Sequence, residues 1–192
     1  KIESDTVTVD RVTKVLYHTA NEEKLPLLVG LLRHMDPHRS LVFTNTKGAA
    51  ERVRAWLRSN GFNAEVISGD VPQNKRERLL NDFQSGELPI LVATDVAARG
   101  LHIPDVSHVF NYDLPQDAED YVHRIGRTAR AGATGDAVGF ACEEYSFSLL
   151  DIEQFIGFKI PVTRITPELL PKLTPPPRGE IRDRQREHEL TR

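Results

Sequence analysis

Short runs of apolar residues with no charged interruption, separated by segments whose apolar residues recur every three or four positions, constrain this chain more than any other feature. LVF (41–43), PILVA (89–93) and AVGFAC (137–142) are runs of this kind. A strand that is apolar on both faces has to be covered on both, which is the situation of a parallel sheet sandwiched between helices. Residues 13–18, 64–67 and 106–112 read as further strands, and residues 24–34, 48–60, 74–83, 117–125 and 145–156 as helices between them, with Gly61 closing the second. The alternation predicts an α/β fold, a three-layer sandwich around a mostly parallel central sheet.

At 192 residues, 39% of them hydrophobic, the chain can bury one substantial core, and we place that domain at residues 1–165. From residue 166 the apolar pattern fades into TPPPRG (174–179) and a densely charged run to Arg192, which predicts a flexible extension built on a semi-rigid proline spacer. The single cysteine, Cys142, can build neither a disulfide framework nor a cysteine-rich metal site, and fits a reducing, cytoplasmic setting. No stretch approaches the roughly 20 apolar residues that span a bilayer. The opening KIES does not read as a signal peptide, so no membrane contact is expected. A formal net charge of -3 argues against gripping nucleic acid through a broad basic face, so any such contact rests on a few placed groups.

In sheets of this type ligands collect beyond the carboxyl ends of the strands. That rule puts TNTK (44–47), Gly69-Asp70 and Thr94-Asp95 on one edge, with HRIGRTAR (123–130) following a later strand. Arg127 and Arg130 would share a face if the helix runs through both. A guanidinium is permanently charged and presents a planar fork of donors, which suits it to the oxygens of a phosphoryl group in transfer. The alternative is that these arginines pair with Asp117, Glu119 or Asp120 and only pin the helix. No G-x-x-x-x-G-K-[ST] loop is present to cradle phosphates, and no Asp-Glu pair follows an apolar strand to hold a metal. The residues here therefore complete a nucleotide site rather than contain one.

LVFTNTK (41–47), GDVPQNKR (69–76), ATDVAARGLHIP (93–104) and HRIGRTAR (123–130) stand in the order and with the gaps of motifs IV, IVa, V and VI of the DEAD-box RNA helicases. With their flanks, residues 10–165 resemble that family. The resemblance implies the second RecA-like lobe of an ATP-dependent RNA helicase, inactive without its N-terminal RecA-like lobe, which would hold most of the Mg2+ that accompanies ATP. It implies that Arg127 and Arg130 reach the γ-phosphate, that His123 couples the nucleotide and RNA sites, and that Asp95, Gly100 and His102 serve the nucleotide. RNA contacts fall to Thr46, Gly69, Gln73, Arg76, Thr94 and Gly100, whose small hydroxyls and exposed backbone suit recognition of the RNA backbone without regard to sequence. A bacterial subgroup implies a partner as well, the endoribonuclease scaffold of the RNA degradosome, and a role in mRNA decay. Residues 147–165 are the candidate docking surface by apolar content, although Phe147, Leu150, Phe155 and Ile156 read equally as core. Two other functions remain open: a non-catalytic docking module, and a DNA translocase of the same superfamily.

Three positions depart from the family pattern. His102 stands where an Asp is usual for the ribose, Ser68 where a His is usual, and Ala129 where a Gly is usual. The alanine favours a helix by about 1 kcal/mol over glycine, unless the backbone there needs a positive φ, when it would strain the arginine geometry. Asp95 also reads as a helix N-cap, and Arg124 as a structural partner for a carboxylate within the lobe. Of residues 74–78, Arg76 is the one expected to matter. Phe43, Phe110, Tyr112 and Phe140 read as core.

Overall fold

The computed structural model describes residues 10–130 and 134–180. Six strands, β1 (Val12–His18), β2 (Ser40–Phe43), β3 (Ala64–Ile67), β4 (Ile90–Ala93), β5 (His108–Asn111) and β6 (Gly135–Ala141), form one sheet. Their order across it is β1-β6-β5-β2-β4-β3, and every neighbouring pair is parallel. The helices are α1 (Lys24–Met35), α2 (Lys47–Ser59), α3 (Gln73–Ser85), the single turn α4 (Asp95–Ala98), α5 (Ala118–Ile125) and α6 (Phe147–Ile156).

The two-residue period of a strand divides the apolar runs between two covered faces. Val42, Val92, Phe110 and Phe140 face α1 and α2, where they meet Leu28, Leu31, Val53 and Leu57. Leu41, Phe43 and Leu91 point the other way, onto Phe83 of α3 and onto Ile103 and Val106. On that same side Leu16 and Ala137 meet Tyr121 and Ile125 of α5 and Ile152 of α6. All four positions of β2 and of β4 are buried, which is why these strands read as unbroken apolar runs. Phe43, Phe110, Tyr112 and Phe140 are core residues, as expected.

The structure decides one alternative left open by the sequence and differs from the sequence reading in another stretch. The helix that carries the first motif VI residues ends at Ile125, as read; the chain then turns, and the Val106 N–H donates to the Arg127 carbonyl at 3.1 Å. A bridge pairs Val106 with Thr128. Arg127 and Arg130 therefore share no helix face.

The stretch that differs is the one after residue 165. Leu16 of the edge strand β1 donates to the Pro161 carbonyl at 2.9 Å and accepts from Thr163 at 2.8 Å, which covers an otherwise open sheet edge. Ile165, Leu169, Leu170 and Leu173 then pack on the α1/α2 side of the core. A Cβ on Gly30 would run into the Leu169 carbonyl, so glycine is what lets this strap lie against α1. Asn60 fixes the end of the strap by exchanging hydrogen bonds with the Thr174 backbone at 2.8 and 2.9 Å. Residues 166–174 are thus part of the packed lobe rather than of a flexible extension, because three leucines among them find a face to bury. The charged run beyond Glu180 lies outside the described residues.

Candidate nucleotide and RNA site

The carboxyl ends of β2, β3 and β4 deliver the three expected loops to one edge. Thr46 and Thr94 each cap the helix that follows, Oγ1 accepting from the Ala49 N–H at 3.1 Å and from the Ala97 N–H at 3.3 Å. Thr94, and not Asp95, is thus the N-cap. An exposed ion pair of 2.6 Å between Lys47 and Asp70 ties the loop after β2 to the loop after β3, which brings Thr46 and Gly69 onto a common surface. At the start of α3, Arg76 donates from Nη2 to Gln73 Oε1 at 2.6 Å, so two of the expected RNA contacts already hold each other. The Arg76 Nε is buried with no protein acceptor. Thr94 itself is 9% exposed, its hydroxyl engaged as a cap, whereas Gly100 is exposed and has a φ of +79°.

Arg124 organises the inner part of this edge. It is 1% exposed, and Nε and Nη2 grip the two oxygens of Asp95 at 2.8 and 2.7 Å. The remaining donors go to Asn45 Oδ1 at 2.7 Å, the Asp113 carbonyl at 2.6 Å and Asn111 Oδ1 at 3.3 Å. The guanidinium lies 5.1 Å from the centre of the Phe43 ring. A buried arginine is tolerable only when paired and fully hydrogen-bonded, and here all five N–H groups have an acceptor. Arg124 is the structural partner of a carboxylate that the sequence suggested, and Asp95 orients this motif VI arginine.

Arg127 is placed differently. Its two terminal nitrogens donate to the Leu101 and Ala98 carbonyls at 3.2 and 3.1 Å, and among the described residues it meets no carboxylate. Burial and the neighbouring Arg130 guanidinium lower its pKa, the direction an uncompensated cation takes. Asp95, Gly100, His123, Arg124 and Arg127 line one open cleft of about 270 Å3. Arg130 lies outside the cleft lining; it donates to the Gly126 and Ile103 carbonyls at 3.0 and 3.3 Å and pairs with Asp105 at 3.3 Å. Neither arginine takes Asp117, Glu119 or Asp120 as a partner.

His123 stands at the cleft mouth with 65% of its side chain exposed, and its Nδ1 is 3.9 Å from Asp120. Asp120 also meets Arg99 at 3.6 Å. Burial, with Asp95 and Asp117 nearby, raises the Asp120 pKa despite the arginines around it. His102 is not brought to the cleft: it lines a separate groove with Leu80, Asn81, Gln84 and Pro104. Ala129 has a φ of +58°, so the methyl group sits on a left-handed backbone and the strained alternative is the one realised.

Sequence reasoning missed Lys24, Asn45 and Asp113. Lys24 and Asp113 form an ion pair of 2.5 Å with both side chains 5% exposed. The signal available was a lone lysine heading the otherwise apolar helix KLPLLVGLL, a place where burial is costly without a partner.

The lobe is a parallel α/β sandwich that gathers capped loops, a buried arginine hub and a carbonyl-braced guanidinium at one sheet edge, and its sequence has no phosphate loop. Residues 23–132 match the helicase conserved C-terminal domain, and the chain belongs to that family. Within it the chain is a DEAD-box C-terminal lobe with RhlB-like sequence. It is 57% identical over 180 residues to the ATP-dependent RNA helicase RhlB of Xanthomonas campestris pv. campestris (strain B100), covering 94% of this chain and 31% of that protein. Against RhlB of Shewanella halifaxensis (strain HAW-EB4) identity is 54% over 170 residues, 88% of this chain and 39% of the relative. The chain spans about a third of the length of the curated relatives it matches. The solved structure of the E. coli DEAD-box protein SrmB bound to regulator of ribonuclease activity A superposes with a TM-score of 0.77 at 38% identity, over 86% of this chain and 98% of that chain. The C-terminal domain of the DEAD-box protein Dbp5 gives 0.72 at 37% identity, over 82% of this chain and 91% of that chain. The RecA-like fold expected from the motifs is the fold observed.

Proposed function

We propose that this lobe is the C-terminal half of a cytoplasmic, ATP-dependent RNA helicase that remodels RNA in bacterial mRNA decay. The observation that carries the reading is Arg127: half-buried in a cleft, braced by two backbone carbonyls, and facing no carboxylate among the described residues. A cation held this way is pre-organised for an anion arriving from outside the lobe. Arg99, Arg124 and Arg127 outnumber Asp95 and Asp120 in the cleft lining, and both carboxylates already have arginine partners, which fits phosphate oxygens better than a metal ion; on this reading Mg2+ is held mainly by the N-terminal lobe. When bound, ATP supplies the phosphoryl transfer.

The chain's own residues divide the remaining work. Arg127, with Arg130 behind it, stabilises charge developing on the γ-phosphate as an arginine finger does. Arg130 first has to leave Asp105 or carry it along. Thr46, Gly69, Gln73, Arg76, Thr94 and Gly100 hold the RNA backbone, through hydroxyls, backbone N–H groups and one guanidinium. Asp95 fixes Arg124, Gly100 leaves room at the cleft, and His123 stands between the two surfaces. His102, in its separate groove, reaches the nucleotide only if the loop of residues 100–104 moves on closure.

A second activity is favoured by a specific observation. Phe147 and Leu150 of α6 are 86% and 71% exposed, and the charged residues of segment 143–154 (Glu143, Glu144, Asp151 and Glu153) are all acidic. Large exposed apolar side chains in one place mark a protein contact. Docking of an endoribonuclease scaffold through this helix is compatible with helicase action, because α6 lies at the β1/β6 side of the sheet, away from the loops after β2, β3 and β4.

The test is displacement of a short strand from an RNA duplex by this chain joined to its natural upstream sequence. ATP-dependent release, lost in Arg127→Ala, is the expected result. Failure of release with ATP and RNA present, while a scaffold segment is still bound, would leave the docking module as the function; release from DNA but not RNA duplexes would point to the translocase.

A further inference from the structure

The geometry points to Lys24 and Asp113 as positioning residues that set the RNA-contact loop through Asn45. Neither residue belongs to any of the four matched motifs. The inference rests on the reading of Thr46 as an RNA contact and of Arg127 as a phosphate contact.

Lys24 heads α1 and is 4% exposed. A lysine at a helix N-terminus faces the positive end of the helix dipole, and its burial is costly in addition, so packing alone gives no reason for it. Its ammonium is held by Asp113 Oδ1 at 2.5 Å and stands over the Tyr112 ring, 4.4 Å from the centroid. The other oxygen of Asp113 accepts the Asn45 backbone N–H at 2.9 Å. Asn45 is then fixed twice more, Nδ2 donating to the Leu114 carbonyl at 2.9 Å and Oδ1 accepting from Arg124 at 2.7 Å.

The chain of contacts forks at Asn45. In one direction the next residue is Thr46, whose carbonyl accepts the Thr44 hydroxyl at 2.9 Å and whose own hydroxyl caps α2. In the other, Arg124 grips Asp95 beside Thr94 and precedes Arg127 by three residues. One buried cation thus holds one oxygen of a carboxylate whose other oxygen fixes Asn45, the residue joining the RNA loop to the arginine hub. Asp113 also contributes its carbonyl to Arg124 at 2.6 Å, so its backbone and side chain serve the same junction.

A fold-stabilising role and a positioning role make different predictions when both charges are removed together. Replacing a buried ion pair by apolar residues is often neutral for stability. It does not restore an acceptor for the Asn45 N–H. Lys24→Met and the double variant Lys24→Met/Asp113→Leu are made in the chain joined to its upstream sequence, and three quantities are read: the melting temperature, amide exchange of residues 41–50, and the RNA concentration giving half-maximal ATP turnover.

The double variant is expected to melt near the unsubstituted protein while exchange at residues 44–50 stays accelerated relative to β4. The half-saturating RNA concentration is expected to rise roughly ten- to a hundredfold with kcat at saturating RNA within about threefold. Recovery of all three quantities in the double variant would overturn the inference, as would loss of kcat and RNA affinity in step with melting. Should the double variant not fold, unchanged exchange at residues 44–50 in Lys24→Met alone would overturn it, and acceleration confined to that loop would support it. If the unsubstituted protein shows no RNA-stimulated turnover, the helicase reading fails, and the exchange data still decide whether the pair positions the loop.

Discussion

Arg124 spends all five of its N–H donors inside the lobe, on Asp95, Asn45, Asn111 and the Asp113 carbonyl, with its side chain fully buried. Arg127, three residues later, is half-buried and, among the described residues, its side chain donates to the carbonyls of Leu101 and Ala98 and to no carboxylate. The two side chains are chemically the same. What separates them is the end of α5 at Ile125, which leaves Arg124 on a helix aimed into the lobe and puts Arg127 on the turn that follows, its carbonyl accepting from the Val106 N–H. A guanidinium with every donor satisfied and a carboxylate on its face is part of the structure, whereas one braced by neutral carbonyls keeps its charge for a ligand.

The contrast can be broken most severely at Arg127. Arg127→Ala, in the chain joined to its upstream sequence, should lower kcat for ATP hydrolysis by about 10³-fold or more, while denaturant unfolding moves by less than about 0.5 kcal/mol. Arg124→Met should do the reverse in kind: the partly buried Asp95 carboxylate and the acceptors of Asn45, Asn111 and Asp113 are left unpaired, and unfolding stability should fall by about 3 kcal/mol, read from urea titration. A large stability loss at Arg127 together with a small one at Arg124 would invert the assignment. The smallest effect lies between the arginines. Ala129→Gly relieves a left-handed φ of +58° and should stabilise the lobe by about 0.5–1 kcal/mol, seen as a higher urea midpoint with an unchanged slope. If it destabilises instead, packing of the buried methyl outweighs the strain.

Most of the fold was legible because a parallel sheet covered on both faces writes itself as unbroken apolar runs, and LVF and ILVA lie in β2 and β4, whose residues are all buried. The edge loops were legible for a related reason, since strand ends and helix caps such as Thr46 and Thr94 are local features. Features that depend on distant contact were not. The Lys24–Asp113 pair joins residues 89 apart in the chain, and nothing in either neighbourhood names the other. The strap was hidden by its own composition: prolines suggested a spacer, and only the α1/α2 face, opened by Gly30, gives Leu169 and Leu173 somewhere to go. The end of the helix at Ile125 was legible, whereas the left-handed backbone at Ala129 is not fixed by a residue that favours helix.

On the proposed function, Arg127 serves as the ligand-facing arginine only when a second lobe brings the ligand. RNA-stimulated ATP hydrolysis by this chain alone and by the same chain joined to its natural upstream sequence is the most direct measure of it. No turnover alone and RNA-dependent turnover on extension is the predicted result; turnover by the isolated lobe, or none in either form, would contradict it.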